Sequence, residues 1–209
     1  MLGKAMTIAA SLVAWSALVI QYVLLVQATW DGIGPALATV QFFSYFTILS
    51  NLLVAVVLSL SINDARSRLH RAAKNPCVRG AVAVYISITG CIYFFVLSTQ
   101  WAPQGWQWLT DIALHYVVPT IYLAWWVTST RHGSLRWTDA VRWLVLPLVF
   151  LIWVFVRGAW LGVYPYSFVD VAALGVGAVI TNSIGVCLLF VAVGLLFVAI
   201  DRWLARVPA

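Results

Sequence analysis

The chain has 209 residues, of which 64% are hydrophobic and 9% charged, and its mean hydropathy is +0.99. A soluble domain of that size has too little interior to hide so much apolar surface, so lipid is the expected solvent. The net charge of +6 does not point to nucleic acid, because the basic residues gather in short loops between apolar runs, a topology signal rather than a binding stripe.

Six apolar segments follow one another, at roughly 5–29, 36–62, 77–99, 107–129, 140–160 and 175–201, each near the ~20 residues a helix needs to cross a bilayer. None alternates over the ~10 residues that mark a barrel strand. Backbone groups in lipid must pair within their own segment. The pattern therefore predicts an all-α, polytopic integral membrane protein with six transmembrane helices. The first segment has Lys4 ahead of it and no small-residue cleavage site before Trp30, so it reads as a retained helix and not a cleaved signal peptide.

Orientation follows from the basic residues. Arg66, Arg68, Arg71, Lys74 and Arg79 lie in or beside the second loop, Arg131, Arg136 and Arg142 flank the fourth, and Arg202 and Arg206 follow the last segment. The other loops carry almost none, Arg157 excepted. The positive-inside rule then makes both termini cytoplasmic. The third loop, with Pro103, Gly105, Trp106 and Trp108, and the fifth, with Tyr164, Pro165, Tyr166 and Asp170, face outside. Many of the 12 Trp residues lie near segment ends, where the indole ring sits among headgroups and its N–H stays wet. The connections are too short for a second fold, so residues 1–209 read as a single six-helix domain. The absence of an evident internal repeat weakens a transporter built on inverted repeats.

Cys91 and Cys187 fall inside segments and read as small apolar residues; Cys77 sits at a basic loop edge. No Cys/His ligand spacing occurs, so neither a metal site, a cofactor nor a disulfide is expected. No Lys lies deep in a segment, which disfavours a retinal photoreceptor.

The second segment contains Ser44, Thr47 and Asn51, at i, i+3 and i+7, so one straight helix would present them on one face. Thr47 is about 11 residues from the outer end, roughly 16 Å deep at ~1.5 Å per residue. The ordinary use of such a Thr is a bond back to the carbonyl four residues earlier or a helix contact. Asn51 argues for more, because a buried amide must find partners.

The fourth segment carries Asp111 and His115 at i and i+4, followed by Pro119. Their side chains can meet, and a carboxylate on one imidazole nitrogen would fix the tautomer. His115 is about 8 residues from the outer end, roughly 12 Å deep by the same rise, near the level of Thr47. Ionisable residues inside a span are costly and mark function by default, although a structural pair that pins two helices is the plain alternative. His70 and His132 lie in or beside loops and weigh less. Tyr164, Pro165, Tyr166 and Asp170 suit an interfacial aromatic loop or a lid, with Asp170 within reach of Arg157. Asn182 in the last segment is a further buried amide, suited to packing or to substrate or oxyanion contact.

The run from Tyr45 through Thr47 to Asn51, then His115 with Pro119, then Tyr164-Pro165-Tyr166 with Asp170, resembles a bacterial six-span family, the Pr-six-Pr proteins. That family is similar to the androgen-induced, FAR-17a-like membrane proteins of animals. The resemblance covers nearly the whole chain by span count and motif order. The animal members hydrolyse fatty acid esters of hydroxy fatty acids with an intramembrane Thr nucleophile and a His. The resemblance maps these two onto Thr47 and His115, and implies a bacterial cytoplasmic-membrane hydrolase of a lipid-like ester among membrane lipids. Asp111, Asn51, Ser44, Asn182, Tyr164, Tyr166 and Asp170 are the supporting or substrate-binding candidates. Two other readings use the same polar residues: a non-catalytic receptor or carrier for a lipid or small amphiphile, and a structural subunit whose polar groups only specify packing.

Overall fold

The computed structural model describes residues 2–63, 65–100 and 102–206. Every regular element among them is helical, and none is a strand. In order they are α1 (Leu2–Thr29), α2 (Gly34–Phe42), α3 (Phe46–Ser61), α4 (Arg68–Lys74), α5 (Pro76–Ile92), α6 (Gly105–Ile112), α7 (Val118–Ser129), α8 (Trp137–Arg142), α9 (Val145–Leu161), α10 (Val171–Leu174) and α11 (Val176–Leu204). Two π turns interrupt this order: Tyr93–Leu97 continues α5, and Ala113–Val117 joins α6 to α7.

Gly3–Thr29, Pro76–Leu97, Trp137–Leu161 and Val176–Leu204 are each long and apolar enough to cross a membrane. The α2–α3 pair makes a fifth if it counts as one span. Residues 105–129 are helical throughout but carry Gln107, Asp111, His115 and Pro119, and are not among these.

The molecule is apolar on the outside as well as within. Val149, Ile152 and Val156 of α9 and Val176, Ile180, Ile184 and Leu188 of α11 are all exposed, at three- and four-residue spacing that makes one outward stripe per helix. Water would not tolerate such stripes over this much surface, and lipid does. These features together define a membrane protein.

The interior is built on α3 and α5. Val54, Ala55 and Leu58 meet Val82, Ile86 and Ile88, with Tyr122 and Trp126 of α7 and Phe190, Phe197 and Val198 of α11 closing around them. Ser50 and Thr89 share a buried hydrogen bond of 2.8 Å across the α3–α5 seam. On α1, Gln21 Oε1 accepts from Gln107 Nε2 at 2.8 Å and Thr110 Oγ1 at 2.9 Å, tying α1 to α6.

The second apolar segment is not one straight helix. It breaks after Phe42, Tyr45 is extended, and α3 leaves at 74° to α2. This corrects the expectation that Ser44, Thr47 and Asn51 lie on one helical face, since Ser44 sits in the break at residues 43–45 and Thr47 and Asn51 lie on α3 beyond it. Ser44 points away: its hydroxyl donates to the Val40 carbonyl at 2.6 Å and accepts from Trp153 Nε1 at 3.0 Å. The break also puts a helix N-terminus inside the protein. The first amides of a helix have no intrahelical acceptor, and Thr47 is the second residue of α3.

Candidate functional site

Thr47 at the start of α3, Tyr93 at the end of α5, His115 in the π turn after α6 and Tyr166 in the loop after α9 come together at one end of the bundle. Thr47 Oγ1 is 3.3 Å from His115 Nε2. His115 Nδ1 is 2.9 Å from the carbonyl oxygen of Asp111 and 3.3 Å from its carboxylate Oδ1. A carbonyl oxygen can only accept, so Nδ1 carries the proton and Nε2 keeps its lone pair for the Thr47 hydroxyl. The side chains of His115 and Asp111 are 11% and 8% exposed, so this polar chain lies in a low-dielectric setting where its hydrogen bonds are strengthened.

Tyr93 completes the support. Its ring stacks on His115 with centroids 3.8 Å apart and planes 15° from parallel, and its hydroxyl donates to Asp111 Oδ2. One residue thus holds both the imidazole plane and the far oxygen of the carboxylate. Sequence reasoning passed over Tyr93. The signal available was a Tyr near the end of an otherwise apolar segment, whose hydroxyl must find a partner when buried.

The π turn around His115 has a local cause. Pro119 has no N–H to offer the His115 carbonyl four residues back. The ladder opens instead, and Val118 donates to Ala113 five residues back. Such single π turns recur at functional sites. The freed carbonyl of Leu114 accepts from Asn51 Nδ2 at 3.1 Å, and the same nitrogen donates to the Thr47 carbonyl at 2.8 Å. Asn51, fully buried, therefore bolts the turn of Thr47 to the turn of His115. Gly90 on α5 lets the two helices approach: a Cβ there would lie 3.1 Å from the His115 carbonyl oxygen.

Both Asn51 amide protons are engaged, so its role is positional and it does not serve as an oxyanion donor. Asn182 Nδ2 donates to the Phe168 carbonyl at 2.9 Å and holds the loop after α9 onto α11. Asp170 does not pair with Arg157. Its carboxylate accepts from the amides of Ala172 and Ala173 and caps α10, while Arg157 donates to the Val163 carbonyl at 2.9 Å and is buried without a carboxylate partner among the described residues. Tyr164 packs so closely on α9 that a Cβ at Gly158 would overlap its ring.

Tyr166 turns inward from the same loop. Its ring meets Tyr45 and stacks on Phe168. Its hydroxyl accepts from the Phe46 amide at 2.7 Å and faces the Thr47 amide and side chain. Burial pushes the Tyr166 phenol up to about 12, against the lowering effect of the amide bonds, so it is a neutral donor at physiological pH. It therefore satisfies the amides that the break before α3 leaves open and still has one proton to give.

Two spaces flank the site. An open cleft of about 810 Å³ is lined by Tyr93 and Asp111 with Gln104, Trp106, Trp108 and Tyr116. A small, partly open apolar cavity of about 70 Å³ is lined by Phe46, Tyr166, Phe150, Val154 and Phe190. Among the described residues no three His, Cys, Asp or Glu side chains converge as a metal site would require. The Thr47 hydroxyl thus meets an imidazole whose opposite nitrogen is held by the Asp111 backbone carbonyl, with the Asp111 carboxylate 3.3 Å away, an arrangement that can pass a proton from hydroxyl to imidazole. No family model, curated protein or solved structure matches the chain.

Proposed function

We propose that this protein is an intramembrane ester hydrolase in which Thr47 is the nucleophile, His115 the general base and Asp111 the residue that orients the imidazole. The observation that carries this reading is the 3.3 Å contact of Thr47 Oγ1 with a His115 Nε2 whose opposite nitrogen is held by Asp111. Thr47 Oγ1 bonds to the ester carbonyl carbon as its proton passes to Nε2. The carbon–oxygen bond to the alcohol then breaks, and the alcohol leaves with that proton. Water repeats the sequence on the acyl-threonine and releases the acid. The carbonyl oxygen, as it gains charge, takes the Tyr166 hydroxyl as its donor, in the favourable field of the α3 dipole.

The resemblance to the Pr-six-Pr and FAR-17a-like proteins supports the same chemistry. With it goes a topology of six spans, residues 105–129 being the least apolar, both termini cytoplasmic and a place in the bacterial cytoplasmic membrane. The test is turnover of p-nitrophenyl esters and of a fatty acid ester of a hydroxy fatty acid by the purified protein. Thr47→Ala and His115→Ala, each shown to be folded by its melting temperature, are expected to lose at least a thousandfold in kcat. Equal turnover by wild type and both variants would end this reading. An intact amphiphile that co-purifies and is never cleaved would make the protein a lipid binder instead.

A further inference from the structure

Asp111 faces two ways. Toward the bundle its carboxylate lies 3.3 Å from His115 Nδ1 and accepts from the Tyr93 hydroxyl. It also lines the open cleft of about 810 Å³. Among the described residues His115 is its only ion-pair partner, and an imidazole that keeps its Nε2 lone pair for Thr47 is neutral. The carboxylate, 8% exposed, therefore carries a charge that no cation among the described residues balances, whereas buried charges are ordinarily paired.

The cleft suits the missing sign. Among the described residues no Lys, Arg or His lines it, while Tyr93, Trp106, Trp108 and Tyr116 do. Aromatic faces are negative and attract a cation within about 6 Å. Trp108 and Asp111 stand three apart on α6 and so share one face. Trp106, Trp108 and Tyr116 are exposed and Asp111 is buried, so the rings form the mouth and the carboxylate the floor. An anion would be repelled there, and an apolar chain would leave the charge unpaired. A primary ammonium brings three N–H donors that need acceptors, yet Asp111 Oδ2 is already engaged by Tyr93 and Oδ1 faces His115 Nδ1. A quaternary ammonium has no N–H to satisfy and needs only charge and ring faces.

We propose that the cleft is a binding site for a quaternary ammonium group, with Asp111 as its counter-charge and Trp106, Trp108 and Tyr116 beside Tyr93 as its walls. Its volume falls within the ~300–1,000 Å³ usual for ligand sites and leaves room for the rest of the molecule, a free choline-like cation or the headgroup of a choline lipid. Binding needs no turnover, so this site stands or falls apart from the hydrolase reading.

The test is titration of the purified protein, in a maltoside detergent, with choline chloride and with its neutral isostere 3,3-dimethylbutan-1-ol, followed by saturation-transfer NMR of the methyl groups. Choline is expected to bind saturably and about tenfold more tightly than the neutral alcohol. Asp111→Asn should weaken choline binding by about tenfold as well. Because Asp111 also supports His115, Trp106→Leu and Trp108→Leu, at exposed positions, serve as further variants; each should weaken binding by about threefold with the melting temperature unchanged. Lysophosphatidylcholine against lysophosphatidylglycerol separates the two sources. Selective capture of the choline lipid, displaced by choline, makes a headgroup the occupant; choline binding without that selectivity makes it a free cation. Equal binding of choline and the neutral alcohol, or choline binding that none of the three substitutions weakens, would overturn the proposal. So would the absence of saturable binding by both choline and lysophosphatidylcholine.

Discussion

Tyr93 lies flat on His115, centroids 3.8 Å apart, while its hydroxyl reaches past the imidazole to Asp111. The ring stack and the hydrogen bond from one side chain constrain the imidazole and its neighbouring carboxylate together. Tyr93 opens the π turn that continues α5, and His115 lies in the π turn between α6 and α7.

Tyr93→Phe keeps the stack and removes the donor to Asp111. The stranded, buried carboxylate oxygen is expected to cost about 1–3 kcal/mol of stability. The carboxylate beside Nδ1 loses its anchor, although the Asp111 carbonyl still holds that nitrogen, and turnover should fall by about tenfold with KM little changed. Tyr93→Leu, which loses the stack as well, should fall further. Steady-state kinetics on both variants check this; equal activity in wild type and Tyr93→Leu would remove Tyr93 from the site.

Gly90→Ala tests the close approach of α5 to the histidine turn. The new Cβ would press on the His115 carbonyl at 3.1 Å, and backbone yields less readily than a side chain. A displacement of a few tenths of an ångström at the base is expected to lower kcat by about tenfold, since ~1 Å at a reacting group can cost a hundredfold. The melting temperature should change little. A loss of stability with no loss of kcat per folded molecule would show that the contact serves packing alone.

Asp201 supports the other end of the molecule. Its fully buried carboxylate accepts from the amides of Gly133 and Leu135 at 2.9 and 3.0 Å and lies 3.0 Å from His132 Nδ1. Asp201→Ala leaves two amides and an imidazole without an acceptor and is expected to cost about 3–5 kcal/mol. Chemical or thermal unfolding in detergent measures it. The site residues lie at the opposite end, so turnover of the surviving folded fraction should match wild type.

Tyr166 gives stability a pH dependence of known sign. Its phenol ionises near 10 when unfolded and near about 12 when folded. The folded state thus holds the proton more tightly, so the contribution is complete below pH 10 and is lost as pH rises from there through about 12. The melting temperature of wild type should drop more between pH 8 and pH 11 than that of Tyr166→Phe. Parallel curves for the two proteins would exclude this residue as the source.

Much of the site could be read before any fold was known, because its pieces are local. Asp111 and His115 meet through the four-residue period of one helix, and Pro119 announces a disturbed ladder close by. Asn51 stood out because an amide in an apolar run needs partners. Ser44 was misplaced for an equally local reason: the break at residues 43–45 contains neither Pro nor Gly, so the sequence reads as one straight helix. Charge alone puts Asp170 within reach of Arg157, whereas the nearer amides of α10 claim its carboxylate.

Composition and periodicity by themselves determined that the chain is helical and that lipid is its solvent, since apolar surface of this extent and polar backbone together admit little else. The tertiary structure alone decided that Thr47 Oγ1 turns toward His115 across 68 residues of chain, that Tyr93 lies over the imidazole, and that Tyr166 enters from the loop after α9 to meet the amides of α3. Those choices depend on how each helix rotates about its own axis. Rotation is set by packing partners such as Gly90, Asn51 and the Ser50–Thr89 bond, which are distant in sequence and carry no periodic signal.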